Sequence, residues 1–236
     1  MPAPDPSFGW QAAIAALAVI AVTAFLVTWI VTDRLRVPRT PYVVILTALA
    51  GVLLVALLAW SGVSGRELLL EDAGWAVLAG LVVAALVTPG VRRLPSGPRA
   101  SGGRLLPMLA FEGVVYGIAE AILLATLPVL AAWFAFSDLG WTDAGSRRVV
   151  AGALAIAAAL VVILVHHLGY EEFRGRAGAK MLAGALLGCG LQALAFLLTG
   201  NVLAPIVAHI VLHAELILRG VELPPARRSA RAGVPV

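Results

Sequence analysis

The chain has 236 residues, of which 61% are hydrophobic and 13% charged, with a formal net charge of +4. Ordinary soluble domains carry about 25% charged residues, so this composition, with a mean hydropathy of +0.98, excludes a water-soluble globule and makes lipid the solvent for most of the chain. The pI near 10.0 does not signal a nucleic-acid partner, because the basic residues are grouped beside apolar runs, where positive charge sets membrane orientation.

The N-terminal stretch "MPAPDPSFGW" places no basic residue ahead of the first apolar run. That run is also longer than the core of a signal peptide, so it reads as a retained helix. Seven segments approach the roughly 20 apolar residues that a crossing helix needs, at about 9–32, 41–62, 74–91, 106–136, 148–168, 180–198 and 201–219. The fourth is longer than one crossing requires; either Pro128 kinks it or its end lies along the membrane interface. Thr199-Gly200-Asn201 joins the last two segments, and Gly and Asn tolerate the backbone of a sharp reversal. The expected fold class is all-α, a polytopic integral membrane helix bundle with about seven transmembrane helices. Its organisation divides into a three-helix membrane region over 1–105, four core helices over 106–222 and a polar, mobile cytoplasmic tail over 223–236. No soluble domain and no short-period repeat is visible.

Charge alternates between the loops. Arg34, Arg36 and Arg39 lie in the first, Arg92, Arg93, Arg99 and Arg104 in the third, and Arg174, Arg176 and Lys180 in the fifth. With four arginines at the C-terminal end, these positions hold 14 of the 17 basic residues. The positive-inside rule then puts the N-terminus outside and the C-terminus in the cytoplasm of an inner (plasma) membrane protein. An odd number of crossings agrees with that orientation. The single cysteine, Cys189, lies inside an apolar run and can form no disulfide within the chain.

Ionisable groups inside membrane helices are costly and point to function. Glu112 and Glu120 lie in the fourth segment, His166 and His167 end the fifth, and His209, His213 and Glu215 lie in the seventh. These positions include all four histidines of the chain. His209 and His213 are four apart and share a helix face. His209 lies roughly 15 Å from the cytoplasmic end of its helix at ~1.5 Å per residue. If the fourth, fifth and seventh helices are neighbours, Glu120 meets His166, His167, His209 and His213 in the cytoplasmic half of the bilayer. A carboxylate among imidazoles suits a general base acting on water. HxxxH also allows zinc, with Glu120 as a further ligand, although Ile210 stands where zinc proteases carry their glutamate.

The pattern EExxxR occurs literally in "VHHLGYEEFRGR", at Glu171, Glu172 and Arg176. That stretch lies beyond the apolar run, in a charged loop, where water keeps carboxylates ordinary. A different reading fits the membrane depth. "GIAEAILLATLPVL", "VVILVHHLGY" and "TGNVLAPIVAHIVLHAELILRG" follow one another over about residues 106–222. In that order they resemble the three motifs of the CPBP family, which comprises the CAAX prenyl endopeptidases, the bacteriocin-processing proteins and their bacterial relatives. Those are glutamate-dependent intramembrane proteases with motifs EExxxR, FxxxH and HxxxN. Glu120 stands at the first glutamate, while Ala121 and Ala125 replace the second glutamate and the arginine. His167, or alternatively His166, stands at the second motif, with His167 favoured because the family histidine commonly ends its apolar run. His209 is the third-motif histidine and His213 occupies the asparagine position.

The resemblance implies an intramembrane endopeptidase. Glu120 would activate water, His166 or His167 and His209 would orient it and stabilise the oxyanion, and His213 would assist. No cofactor is then required. Membrane lipid and a peptide or membrane-protein substrate are the expected partners. The two missing motif residues keep open a catalytically inactive relative that binds a membrane peptide or scaffolds a partner. The histidines of two helices keep open a metal- or haem-binding membrane protein.

Overall fold

A computed structural model describes residues 1–221, the side chain of Ala177 excepted. The tail expected over 223–236 lies outside the described residues, as do Arg227, Arg228 and Arg231. Among the described residues there are eight helices beyond isolated single turns and no strand. They are α1 (Trp10–Arg34), α2 (Arg39–Ser61), the short α3 (Gly65–Leu70), α4 (Ala73–Arg92), α5 (Gly102–Asp138), α6 (Gly145–Leu168), α7 (Arg176–Thr199) and α8 (Leu203–Leu218).

Six of these helices are long and apolar enough to cross a membrane. Their outward faces carry large apolar side chains in the open, such as Val55 at 68% and Leu198 at 73% exposure. A surface of that kind is stable only against lipid. The eighth helix is shorter than its apolar run suggested. Its 16 residues span about 24 Å at 1.5 Å per residue, against a hydrocarbon core of ~30 Å. The turn before it explains the late start. Asn201 is fully buried; its Oδ1 accepts from the Leu203 N–H, and its Nδ2 donates to the Glu71 carbonyl. The residues ahead of the helix are therefore spent on a polar tie to the α3–α4 connection.

α5 is the axis of the bundle. It packs against α1, α2, α6, α7 and α8, while α4 joins through α8 and α7. One cluster of buried side chains runs from Phe8 and Tyr42 to Phe196, so the N-terminal helices and the later ones share a core. The great length of α5 is not absorbed by a break at Pro128. Residues 127–135 are all buried, and the helix continues through the proline. The missing Pro128 N–H is accommodated by wide turns over Ala121–Thr126, just upstream, and a second wide-turn stretch covers Leu109–Val115. Such π-turns loosen the local ladder and re-aim side chains, often at functional sites.

The arginine-bearing loops gather at one end of the bundle. There Arg92 pairs with Glu215 at 2.9 Å, Arg174 with Asp33 at 3.4 Å, and the Gly97 N–H donates to the Gly220 carbonyl. At the other end the Asp5 N–H donates to the Ser61 carbonyl and the Val202 N–H to the Leu68 carbonyl.

Small residues bring the helices close. A Cβ added at Gly80 would sit 2.5 Å from the Ala204 carbonyl oxygen of α8, and Ala76, Ala84, Ala204 and Ala208 surround this crossing or lie along it, all buried. In lipid, where no hydrophobic drive separates helix from solvent, such close backbone contact is the main adhesive. Gly80→Val is therefore expected to destabilise the protein by about 1–3 kcal/mol through overpacking, seen as an earlier thermal unfolding midpoint in detergent. Gly51→Ala, whose added Cβ meets nothing within 4 Å, should leave the midpoint unchanged or raise it slightly.

Candidate functional site

Glu120 ends the five-residue α-helical stretch Tyr116–Glu120 that separates the two wide-turn stretches of α5. It is 8% exposed, in a bundle interior built for apolar contact. A buried carboxylate needs donors within hydrogen-bond reach, and Glu120 has one on each oxygen. The Tyr116 hydroxyl donates to Oε1 at 2.6 Å, and Nε2 of His213 lies 2.8 Å from Oε2. Because the carboxylate oxygen accepts, that nitrogen carries the proton, which assigns the His213 tautomer.

α8 reaches Glu120 because α5 carries a glycine at the crossing. A Cβ at Gly117 would meet the Ile210 nitrogen at 3.2 Å and the His209 carbonyl carbon at 3.3 Å. The one-turn spacing of His209 and His213 then stacks their rings, 5.9 Å apart and 16° from parallel. One donor atom from each of Glu120, His209 and His213 lies within 4.8 Å of the others. Cys189 of α7 flanks this group, its Sγ 4.0 Å from Nε2 of His209.

α6 contributes His166, which is fully buried. Its Nδ1 donates to the Ala24 carbonyl at 3.1 Å, and Thr28 of α1 donates to the His166 carbonyl at 2.9 Å. These two bonds hold the ring from α1 and turn Nε2 towards Oε1 of Glu120 at 3.7 Å. With Nδ1 bearing the proton, a neutral His166 presents a lone pair beside a carboxylate oxygen. Two acceptors placed side by side are satisfied by a shared O–H donor.

The five residues singled out by sequence therefore lie in one region, but not equally. His166, His209 and His213 surround Glu120. His167 is beside the group without a bond to Glu120: its Nδ1 donates to the Ile163 carbonyl at 2.8 Å, and its ring lies 4.7 Å from that of Phe173 and 5.3 Å from that of His166. Of the two adjacent histidines it is His166 that comes within 3.7 Å of Glu120. Successive helical residues are turned by about 100°, and it is His166 whose turn faces α5. Of the other acidic groups, Glu112 pairs with Arg39 and Glu215 with Arg92. The literal EExxxR match forms a short 3₁₀ turn, Glu171–Phe173, beyond α6, with Glu171 exposed and Phe173 buried against His167. Sequence reasoning missed Tyr116. Its signal was present, since it lies four residues before Glu120 on the same helical face.

The His213–Glu120 bond should be measurable as stability. His213→Leu leaves Oε2 without its donor and is expected to cost about 1–3 kcal/mol. Combined with Glu120→Leu the penalties should fall short of additive by roughly 0.5–3 kcal/mol. Unfolding of the four proteins in detergent checks this, and strictly additive losses would contradict a direct bond.

Comparison with known proteins returned no matching family model, no similar curated protein and no similar solved structure.

Proposed function

We propose that this membrane protein is an intramembrane endopeptidase of the CPBP type, with Glu120 as the base that activates water. The observation that carries the reading is the convergence on one buried carboxylate of imidazoles from two helices, His166 of α6 and His209 and His213 of α8. Three sequence segments with family-like spacing thereby meet at one point.

Peptide hydrolysis needs a base beside the water and donors facing the charge that develops on the carbonyl oxygen. Glu120 takes a proton from water as the oxygen attacks the scissile carbonyl carbon. An imidazole N–H of His209 serves as the oxyanion donor, His213 assists by holding Glu120 through its Nε2–H, and His166, anchored through Nδ1, orients the water through Nε2. The protonated Glu120 then returns its proton to the departing amine. The arginine-rich end of the bundle faces the cytoplasm in this reading, which places the N-terminus outside and the site in the cytoplasmic half of the bilayer. Peptide or membrane-protein segments are the substrates.

A second reading rests on the same group. Two imidazoles and a carboxylate with donor atoms within 4.8 Å are the ligand set of a catalytic zinc site with a position left for water. The two readings differ in what must be present for cleavage.

Newly formed peptide termini in membranes of cells producing the wild type, compared with cells producing Glu120→Gln at equal level, provide the test. Termini that depend on Glu120 are expected, with a loss of about 10²–10⁴-fold in the variant. Identical termini in both would remove the protease reading. Cleavage by purified protein that persists through exhaustive chelation, with no stoichiometric metal bound, supports the glutamate mechanism; loss of activity that zinc restores selects the metal reading.

A further inference from the structure

The resemblance expects a glutamate at 121 and an arginine at 125 to support Glu120. Both positions are alanines with no exposed surface, and a methyl group holds no carboxylate. The support comes instead from side chains elsewhere in the fold.

Tyr116 donates to Oε1 of Glu120 at 2.6 Å. Its oxygen is 3.3 Å from the Tyr170 hydroxyl, which is in turn 2.5 Å from the Tyr42 hydroxyl. All three rings are buried, at 0–3% exposure. The direction of the chain follows from proton counting, because each phenol has one proton to donate. The Tyr116 proton is committed to the carboxylate, so Tyr170 donates to Tyr116, and Tyr42 donates to Tyr170. One hydroxyl thus donates to the carboxylate oxygen with two more in line behind it, and hydrogen bonds in such a chain strengthen one another at low dielectric.

The chain also fixes geometry. Tyr42 sits in the first turn of α2, Tyr170 just beyond α6 and Tyr116 on α5, so three elements are pinned to the same carboxylate. The Arg39 guanidinium lies over the face of the Tyr116 ring at 4.7 Å and is paired with Glu112. That cation–π contact holds the ring and polarises its O–H. With Tyr116 on Oε1 and His213 on Oε2, the carboxylate plane has no freedom to rotate.

We infer that Tyr116 is a positioning residue for the Glu120 carboxylate, held by the Tyr42–Tyr170 hydroxyl chain and by Arg39, and that this assembly replaces the support expected at 121 and 125. The inference rests on Glu120 being the base, and it deepens that reading by naming what aims the base.

Tyr116→Phe removes the hydroxyl and keeps the ring under Arg39, so the fold is retained. The first measurement needs no substrate. Infrared spectra of protein in lipid nanodiscs, labelled with ¹³C-carboxyl glutamate, yield the Glu120 band by subtraction of Glu120→Gln. That band is expected to move in Tyr116→Phe, and to move less in Tyr42→Phe, two links away. A band identical in wild type and Tyr116→Phe overturns the inference. The second measurement uses the peptide that the Glu120→Gln comparison identifies as cleaved. There Tyr116→Phe should lower kcat by about 10- to 100-fold with KM unchanged, and Tyr170→Phe should lower it less. An unchanged kcat in Tyr116→Phe, or a change confined to KM, overturns it. Should the wild type cleave nothing, the protease reading fails while the infrared band still decides whether Tyr116 holds Glu120.

Discussion

A carboxylate placed inside an apolar bundle has to find its hydrogen-bond donors there, because lipid offers none. In this chain that constraint centres on Glu120, and much of the architecture serves it. α5 is the most enclosed helix, with 78% of its apolar window buried. Its two wide-turn stretches bracket the single helical turn from Tyr116 to Glu120. Gly117 lets α8 come near enough for His213 to reach Oε2. The α1–α6 contact through Thr28, Ala24 and His166 fixes a third polar group at the same place. Each of these features costs something locally, in ladder hydrogen bonds or packing, and each is compensated by satisfying the buried charge.

The outline of the fold is legible in the sequence because hydropathy reports the solvent directly. The apolar run read as 148–168 is the helix Gly145–Leu168, and the run at 180–198 is Arg176–Thr199. Helix ends miss by a few residues where amphipathic or polar residues extend a helix past the lipid, as Arg176 and Lys180 do at the start of α7. The late start of α8 was not legible, because it depends on where the Asn201 side chain finds a carbonyl in another connection.

Depth along a helix is a one-dimensional property and can be counted; azimuth is not. Glu120 and the histidines were found by asking which ionisable groups lie at similar depth. Choosing between His166 and His167 required knowing how α6 is rotated, and that is set by contacts with α1. Arg39 was obscured for another reason. An arginine beside an apolar run has a sufficient explanation in membrane orientation, so nothing in its position signals that it lies over Tyr116 with its side chain 10% exposed.

The alanines at 121 and 125 do not leave the Glu120 carboxylate without partners. What a buried carboxylate requires is a donor on each oxygen, not a particular residue one or five places along the same helix. Packing makes that requirement transferable between helices: one donor comes from the preceding turn of α5, a cation over its ring from α2, and a further hydroxyl from the loop after α6. "EEFRGR" matches the letters but forms a turn just beyond the end of α6. Its contribution is Phe173, whose ring closes over His167, and Arg174, which donates to the Leu168 and Gly169 carbonyls at the end of α6. Those bonds satisfy the helix terminus next to His166, so the segment with the matching letters supports the site by holding the helix that carries one of its histidines.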